Sequence, residues 1–355
     1  MRIGLVIYGS LDTVSGGYLY DRKLVEHLRR AGHSVEIISL PWRNYPRHLL
    51  DNFSDDWFQR LRRARVDVLL QDELNHPSLF RVNRRLRHRA VSIVHHLRTS
   101  ESHPAWLRIF YRAVERQYLA SVNGFIFNSE TTRAAVEKLL NHAAPNCVVA
   151  LPAGNRFNPD IDAEQIRARA KSPGALRIVF VGNLIPRKGL HILLDALAQL
   201  TSGTWQLAVI GNPNVDRQYT ARIRNQIAAQ HLTKVRLVGA VQDTALANLL
   251  AQSHVLVVPS DYEGYGIVYL EGMSFGLPGI ATTAGAASEI ITHDENGFLI
   301  APNKSAKLAV CLAALQRDRD RLARMSLSAR ERFLRQPSWE ESMARVNQYL
   351  VELIR

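Results

Sequence analysis

Three segments combine residue types and spacings that could do chemistry. SLDTVSGGYLYDRKL follows a first apolar run, and its Gly16-Gly17 opens a helical pattern. Glycines there let the backbone approach an anion closely, and a helix N-terminus adds positive dipole. The same pair also suits a plain strand-to-helix turn, and the G-x-G-x-x-G spacing of dinucleotide sites is absent. In VFVGNLIPRKGL, residues 179–190, a strand and a short loop precede Arg187-Lys188-Gly189 at a helix start. Two cations beside a helix N-terminus suit a diphosphate; a solvated helix start is the plain alternative. No Gly-Lys-Ser/Thr of a Walker loop follows.

The third segment is the most specific: PSDYEGYGIVYLEGMSFGLPGIAT, residues 259–282. A strand ends at Pro259, a loop carries Glu263-Gly264-Tyr265-Gly266, and a helix begins near Ile267 with Glu271 in its second turn. Free backbone N–H groups at the glycines could hold phosphates. The two carboxylates, eight residues apart, would then reach sugar hydroxyls on either side of a diphosphate. For Glu271 the plain alternative is a favourable interaction with the helix dipole. Gly272-Met273-Ser274-Phe275-Gly276 also matches a nucleophile elbow, but Leu277-Pro278-Gly279 cannot open the helix such an elbow requires. The order Ser, acid, His fails as well: only Glu289 and His293 follow in that sense, which rejects a hydrolase triad.

Positioning these loops requires strands. Apolar runs predict strands at 3–8, 35–39, 66–71, 91–95, 124–127 and 148–151, then at 177–182, 206–211, 235–238, 255–259, 279–282 and 298–300. Amphipathic patterns at 18–31 and 191–200 fall between strands, and a long helix follows Pro337 from Trp339 to the end. Apolar strands separated by helices imply parallel sheets covered on both faces, hence an α/β chain of two doubly wound, Rossmann-like domains. The domains read as 1–157 and 176–338, with the helix 339–355 completing the first. GNRFNPDIDAEQIRARAKSPGA, residues 154–175, contains the join, with 158–175 as linker because of its Pro, Gly and polar residues. Ligands of such sheets bind beyond the carboxyl ends of the strands, and two domains face to face would put the site in a central cleft.

Composition narrows the class. The chain has 355 residues, 46% of them hydrophobic, which excludes disordered and collagen-like readings. Cys147 and Cys311 alone offer neither a disulfide framework nor a Cys-based zinc site. No carboxylate pair or His cluster is spaced as a metal site, so no metal is expected. No apolar run reaches the roughly 18 residues of a membrane span, and the N-terminus lacks a signal h-region, so a cytoplasmic protein is expected. The net charge is 45 − 32 = +13, with 38 Arg against 7 Lys. Such an excess favours a phosphate-bearing partner: nucleic acid, anionic lipid or nucleotide.

At this point the segments resemble the retaining nucleotide-sugar glycosyltransferases of the GT-B fold, family 4. Glu263 to Glu271, in EGYGIVYLE followed by GMSFGLP, resembles the family's E-x7-E motif, and GNLIPRKG its phosphate-binding segment. SGGYLYD resembles its N-terminal glycine loop, HDENGFLI the turn closing the second domain, and Ser338-Trp339 the start of the last helix. The resemblance implies that Lys188 and Arg187 neutralise the donor diphosphate and that Gly16-Gly17 approach it from the other domain. It implies Glu271 on the ribose hydroxyls and Glu263 on the transferred sugar. Backbone at Gly264, Tyr265, Gly266, Ile267 and Val268 would touch sugar and phosphate, and Val241 would pair its backbone with the base. The family's first-domain histidine falls at His95 in SIVHHLRTS, with His96 where an Asp often stands; either ring could meet the donor, or His95 could simply pack at a strand end. Asn183 replaces the Arg usual after the phosphate-segment glycine, so one diphosphate contact is missing or passes to Arg187.

The activity so implied is retaining, metal-independent hexosyl transfer from a UDP- or GDP-sugar, with no cofactor beyond that donor substrate. A basic nucleic-acid-binding α/β protein is the rival, but no RRM, OB, KH or helix-turn-helix pattern supports it. Three basic amphipathic patterns, 54–64, 78–89 and 105–120, carry apolar stripes (Phe53, Trp57, Leu61; Leu79, Val82, Leu86) beside arginines. Arg108, Arg112 and Arg116 repel one another unless anions or Glu115 relieve them. Such helices either cover the sheet with solvated arginines outward, or dock on an anionic membrane at its inner face and receive a lipid-linked acceptor.

Overall fold

The computed structural model describes residues 1–201 and 203–355. The chain divides into two compact units, Met1–Pro152 with Pro337–Arg355, and Ala153–Gln336. In the first, β1 (Arg2–Tyr8), β2 (Ser34–Leu40), β3 (Val68–Asp72), β4 (Arg89–Val94), β5 (Gly124–Phe127) and β6 (Cys147–Val149) form one sheet. All pairings are parallel, in the order β2-β1-β3-β4-β5-β6. Strand order therefore reverses between β1 and β3. Every residue of β3 and β5 is buried, as a sheet covered on both faces requires. The covering helices are α1 (Gly16–Arg30), α2 (Tyr45–Asp51), α3 (Asp55–Arg63), α4 (His76–Arg85), α5 (Ala105–Leu119) and α6 (Glu130–Leu140).

The second unit repeats the plan. Its strands are β7 (Leu176–Val181), β8 (Trp205–Ile210), β9 (Val235–Gly239), β10 (Val255–Val257), β11 (Gly279–Thr282) and β12 (Gly297–Ile300). They pair in parallel as β12-β11-β10-β7-β8-β9, reversing between β10 and β7. Its helices are α7 (Ala163–Lys171), α8 (Leu190–Leu197), α9 (Arg217–Ala229), α10 (Asp243–Gln252), α11 (Ile267–Ser274), α12 (Ser305–Arg317) and α13 (Arg319–Leu334). The last helix, α14 (Trp339–Ile354), starts in a Ser338/Glu341 capping box and returns to the first unit against α1. There Trp339 meets the Tyr20 ring edge-on at 5.9 Å, and Ser342 Oγ donates to the Leu151 carbonyl.

Two expectations change. The segment 158–175 is not a linker: Asp162 and Gln165 cap α7, whose Ile166 and Ala170 are buried and which packs on α13. The Pro and Gly residues that suggested a linker flank that helix rather than fill the segment. The pattern 78–89 splits, because Leu86 turns extended and feeds the chain into β4.

Candidate active site

In the second unit, the loops after β7 and β10 meet where strand order reverses, the usual ligand position in a doubly wound sheet. Gly189 follows Lys188 with φ +70°, and a Cβ there would lie 2.1 Å from the Pro259 carbonyl oxygen, so only glycine lets the two loops touch. The contact brings the predicted cation and carboxylate together: Lys188 Nζ donates to Glu263 Oε2 at 2.7 Å, and Ser260 Oγ to the same oxygen at 3.0 Å. Burial pulls the Lys188 ammonium below its ordinary value despite Glu263 beside it. For Glu263 burial opposes ionisation, but Lys188, Arg187 and Ser260 outweigh it and hold the carboxyl below the usual range. Arg187 Nη1 donates to the Tyr262 carbonyl at 2.8 Å, and the Asp261 N–H to the Arg187 carbonyl. From the other side the Ala286 N–H donates to the Glu263 carbonyl, so the loop after β11 straps Glu263 down. Asn183, half-buried, closes a turn with its carbonyl accepting from the Ile185 N–H at 2.9 Å.

Glu271 lies buried in the second turn of α11 and carries a partner that the sequence reading missed. Arg156 Nη1 donates to Glu271 Oε1 at 3.3 Å, while the same guanidinium grips Asp243 at the start of α10. Burial raises the Glu271 carboxyl above its ordinary value, against the pull of Arg156. Arg156 sat in what read as the domain join, and nothing in its neighbours marks it. Gly266 opens α11 at φ +99°, and Ile267 and Val268 form its half-buried first turn. A Cβ on Gly266 would strike the Tyr269 ring at 2.5 Å. Gly264 is half-buried, and the buried Tyr265 accepts from Gln336 Nε2 through its hydroxyl. Val241 lies half-buried in the loop after β9. Ser274 Oγ donates to the Glu271 carbonyl inside the core, which is no place for a nucleophile.

The first unit treats its two histidines differently. His95, just past β4, is buried: Nε2 lies 3.2 Å from Asp21 Oδ1, and its carbonyl accepts from Asn128 Nδ2. A Cβ on Gly17 would sit 3.0 Å from the ring, so the second glycine is what lets α1 lie against His95. Gly16, exposed, begins α1 behind the Ser15 cap. His96 instead pairs with Glu101 at 3.0 Å. Spacing gave no sign of metal-type clusters, yet the fold assembles two buried groups with donor atoms within 4.8 Å: Asp21, Asp72, His95, and Glu73, His76, Glu115. Burial, with Asp21 nearby, pushes the Asp72 carboxyl up to about 8. Burial likewise lifts Glu73 and Glu115 to about 7.

The basic helices are partly as expected. In α3 the buried stripe is Phe58 and Leu61; Phe53 lies outside the helix, 65% exposed under the Arg81 guanidinium. Leu79 and Val82 of α4 are buried. Arg108, Arg112 and Arg116 of α5 are exposed, but Glu115 does not relieve them. It is fully buried and accepts from the backbone N–H groups of Arg98 and Thr99. Beside those arginines Trp106, Ile109 and Phe110 stand exposed on α5, and Trp42 and Leu50 at α2. Both α2 and α5 pack against α4.

Residues 162–332 match the family model described as glycosyl transferases group 1. Phosphatidyl-myo-inositol mannosyltransferase of Mycobacterium leprae is 27% identical over 365 residues, 96% of this chain and 93% of the relative. Sucrose-phosphate synthase from Thermosynechococcus elongatus superposes with TM-score 0.83 at 20% identity, covering 99% of this chain and 98% of that one. Anabaena HepE in complex with UDP and glucose gives TM-score 0.77 at 19% identity, with 99% of both chains covered. In two other cases the matched part spans 48% and 33% of the curated relative's length. The chain thus has the GT-B fold, and its second unit is similar in sequence to the group 1 glycosyl transferases; a nucleic-acid-binding module is not favoured.

Proposed function

We propose that this chain is a retaining, metal-independent glycosyltransferase of family 4, moving a hexose from a UDP- or GDP-sugar to an acceptor hydroxyl. The Lys188–Glu263 pair at the strand-order reversal of a group 1 domain carries this reading. In it the donor diphosphate takes Glu263's place on Lys188, with Arg187 adding charge, and Glu263 turns to the transferred sugar. Glu271, steadied by Arg156, holds the ribose. The bond from the anomeric carbon to the diphosphate oxygen breaks, and a bond to the acceptor oxygen forms on the same face. The acceptor proton passes to the leaving phosphate. Cations already in place stabilise the charge growing on that leaving group. HepE's complex with UDP and glucose supports a nucleotide-sugar donor.

The mannosyltransferase relative named for phosphatidyl-myo-inositol supports a lipid-linked acceptor. Among the described residues no helix is long and apolar enough to cross a membrane. Exposed Trp106, Ile109 and Phe110 beside Arg108 and Arg112 would instead seat the first unit on an anionic surface at the membrane's inner face. Incubation with a panel of nucleotide sugars, read by mass spectrometry, tests the donor: turnover of at least one UDP- or GDP-sugar is expected, and turnover of none refutes the reading. Activity is expected to survive EDTA. Loss on chelation with rescue by Mg²⁺ or Mn²⁺ would overturn metal independence.

A further inference from the structure

The Asp21–His95 contact has no counterpart in the sequence reading, and its chemistry is specific. Asp21 is wholly buried one turn below Gly17 on α1, with Oδ1 on His95 Nε2 and Oδ2 buried without a partner. Asp72, at the end of β3, accepts from the Leu74 N–H through Oδ1, and its Oδ2 is likewise buried and unpartnered. Glu73 follows it, also buried. Three acidic groups from α1 and the β3 end therefore face one imidazole. The other neighbours of His95 are neutral: the Tyr20 ring edge-on at 5.4 Å, and Asn128 and Thr132 on its carbonyl. Among the described residues the ring's side-chain hydrogen bond is made by Nε2, and the side chain keeps 11% of its surface exposed, which leaves Nδ1 for a ligand.

We propose that Asp21 is a positioning residue that fixes His95 through Nε2 and holds the ring doubly protonated, so that Nδ1 serves as an N–H donor to an anionic ligand oxygen. A neutral ring whose Nε2–H points at Asp21 would present Nδ1 only as an acceptor and would repel a phosphate oxygen. The charged ring donates from both nitrogens and forms the stronger, charge-assisted bond. Burial alone would strip the proton, but the hydrogen bond to Asp21 and its charge outweigh it, and Asp72 and Glu73 add to the pull as they ionise, pushing His95 up to about 9. That the anion belongs to a glycosyl-transfer substrate rests on that reading; the protonation of the ring does not.

Two measurements on the full chain test this. With ¹⁵N-labelled histidine, NMR assigns His95 by the signal lost in His95→Gln and follows its titration. In the native chain it is expected to titrate near pH 9, and in Asp21→Asn below the ordinary value of about 6.5. Asp72→Asn, which leaves the direct contact in place, should lower it less, and it serves should Asp21→Asn not fold. Turnover of UDP-glucose and GDP-mannose against pH is the second measurement. Asp21→Asn should lose activity about tenfold per pH unit above neutrality and recover it on acidification, whereas a merely structural loss would lower the whole profile evenly. A native His95 titrating near pH 6.5, an Asp21→Asn profile of unchanged shape, or a stoichiometric metal in the purified protein would each overturn the proposal. If the native chain turns over no nucleotide sugar, glycosyl transfer fails while the titration still decides the ring's state.

Discussion

The two units are built alike and charged differently. Each has six parallel strands whose order reverses once, and each gathers ionisable groups beyond the strand ends near that point. In the second unit carboxylates meet fixed cations: Lys188 on Glu263, Arg156 on Glu271 and Asp243. In the first, Asp72, Glu73 and Glu115 are buried with histidines 76 and 95, and protons rather than arginines balance them. Burying an unpaired charge is prohibitive, so one fold has met one constraint in two ways. In the proposed reading an anionic ligand exchanges places with Glu263 on Lys188, which would make the second unit responsive to ligand. Proton uptake makes the first responsive to pH.

Removing the cation of the second unit should have the largest effect. Lys188→Ala is expected to cost about 2–4 kcal/mol of transition-state stabilisation, roughly 10²–10³ in rate. Transfer within about threefold of the native rate would sink the role given to Lys188. On the first unit, cosedimentation with anionic-lipid vesicles tests the basic face. Basic residues near such a surface contribute about 1 kcal/mol each, so Arg81/Arg84/Arg85→Glu should weaken binding by roughly 10² at low salt. Native protein that stays in the supernatant at low salt argues for a soluble acceptor.

Glu271→Gln should act more modestly, weakening UDP or GDP binding about tenfold by calorimetry, because ribose contacts exist before and during reaction. Unchanged nucleotide affinity would remove the ribose from Glu271. The smallest expected effect is on stability, and its sign differs between units. Asp72, Glu73 and Glu115 keep protons in the folded state that the unfolded chain releases above about pH 4. The first unit should therefore lose stability as pH rises toward about 8, and His95 extends the loss toward about 9. In the second, burial with Arg177 and Arg319 pulls His254 down to about 3, so stability there should fall as pH drops from about 6.5 toward 3. Scanning calorimetry across pH checks this, and Asp72→Asn should flatten the alkaline fall; an unaltered slope would place the proton elsewhere.

The sequence by itself determined the twelve strands, because buried parallel strands must be continuously apolar, and runs such as Val68–Leu70 admit little else. It also marked the glycine turns and the Lys188 and Glu263 that the structure brings into contact. Lys188 and Glu263 lie in segments that follow strands directly, and Glu271 in the helix that continues the second of them, where spacing along the chain fixes position in space. What only tertiary structure decided is which side chains meet across crossovers. His95 lies 74 residues from Asp21, Arg156 lies 115 from Glu271, and no local pattern records either distance. Asp21 and His95 arrive on separate β/α units brought together by strand order in the sheet, whereas Arg156 comes from the irregular segment before α7. The same holds for Glu115, which reads as a solvated helix charge beside three arginines until the turn after β4 folds back and gives it two N–H donors.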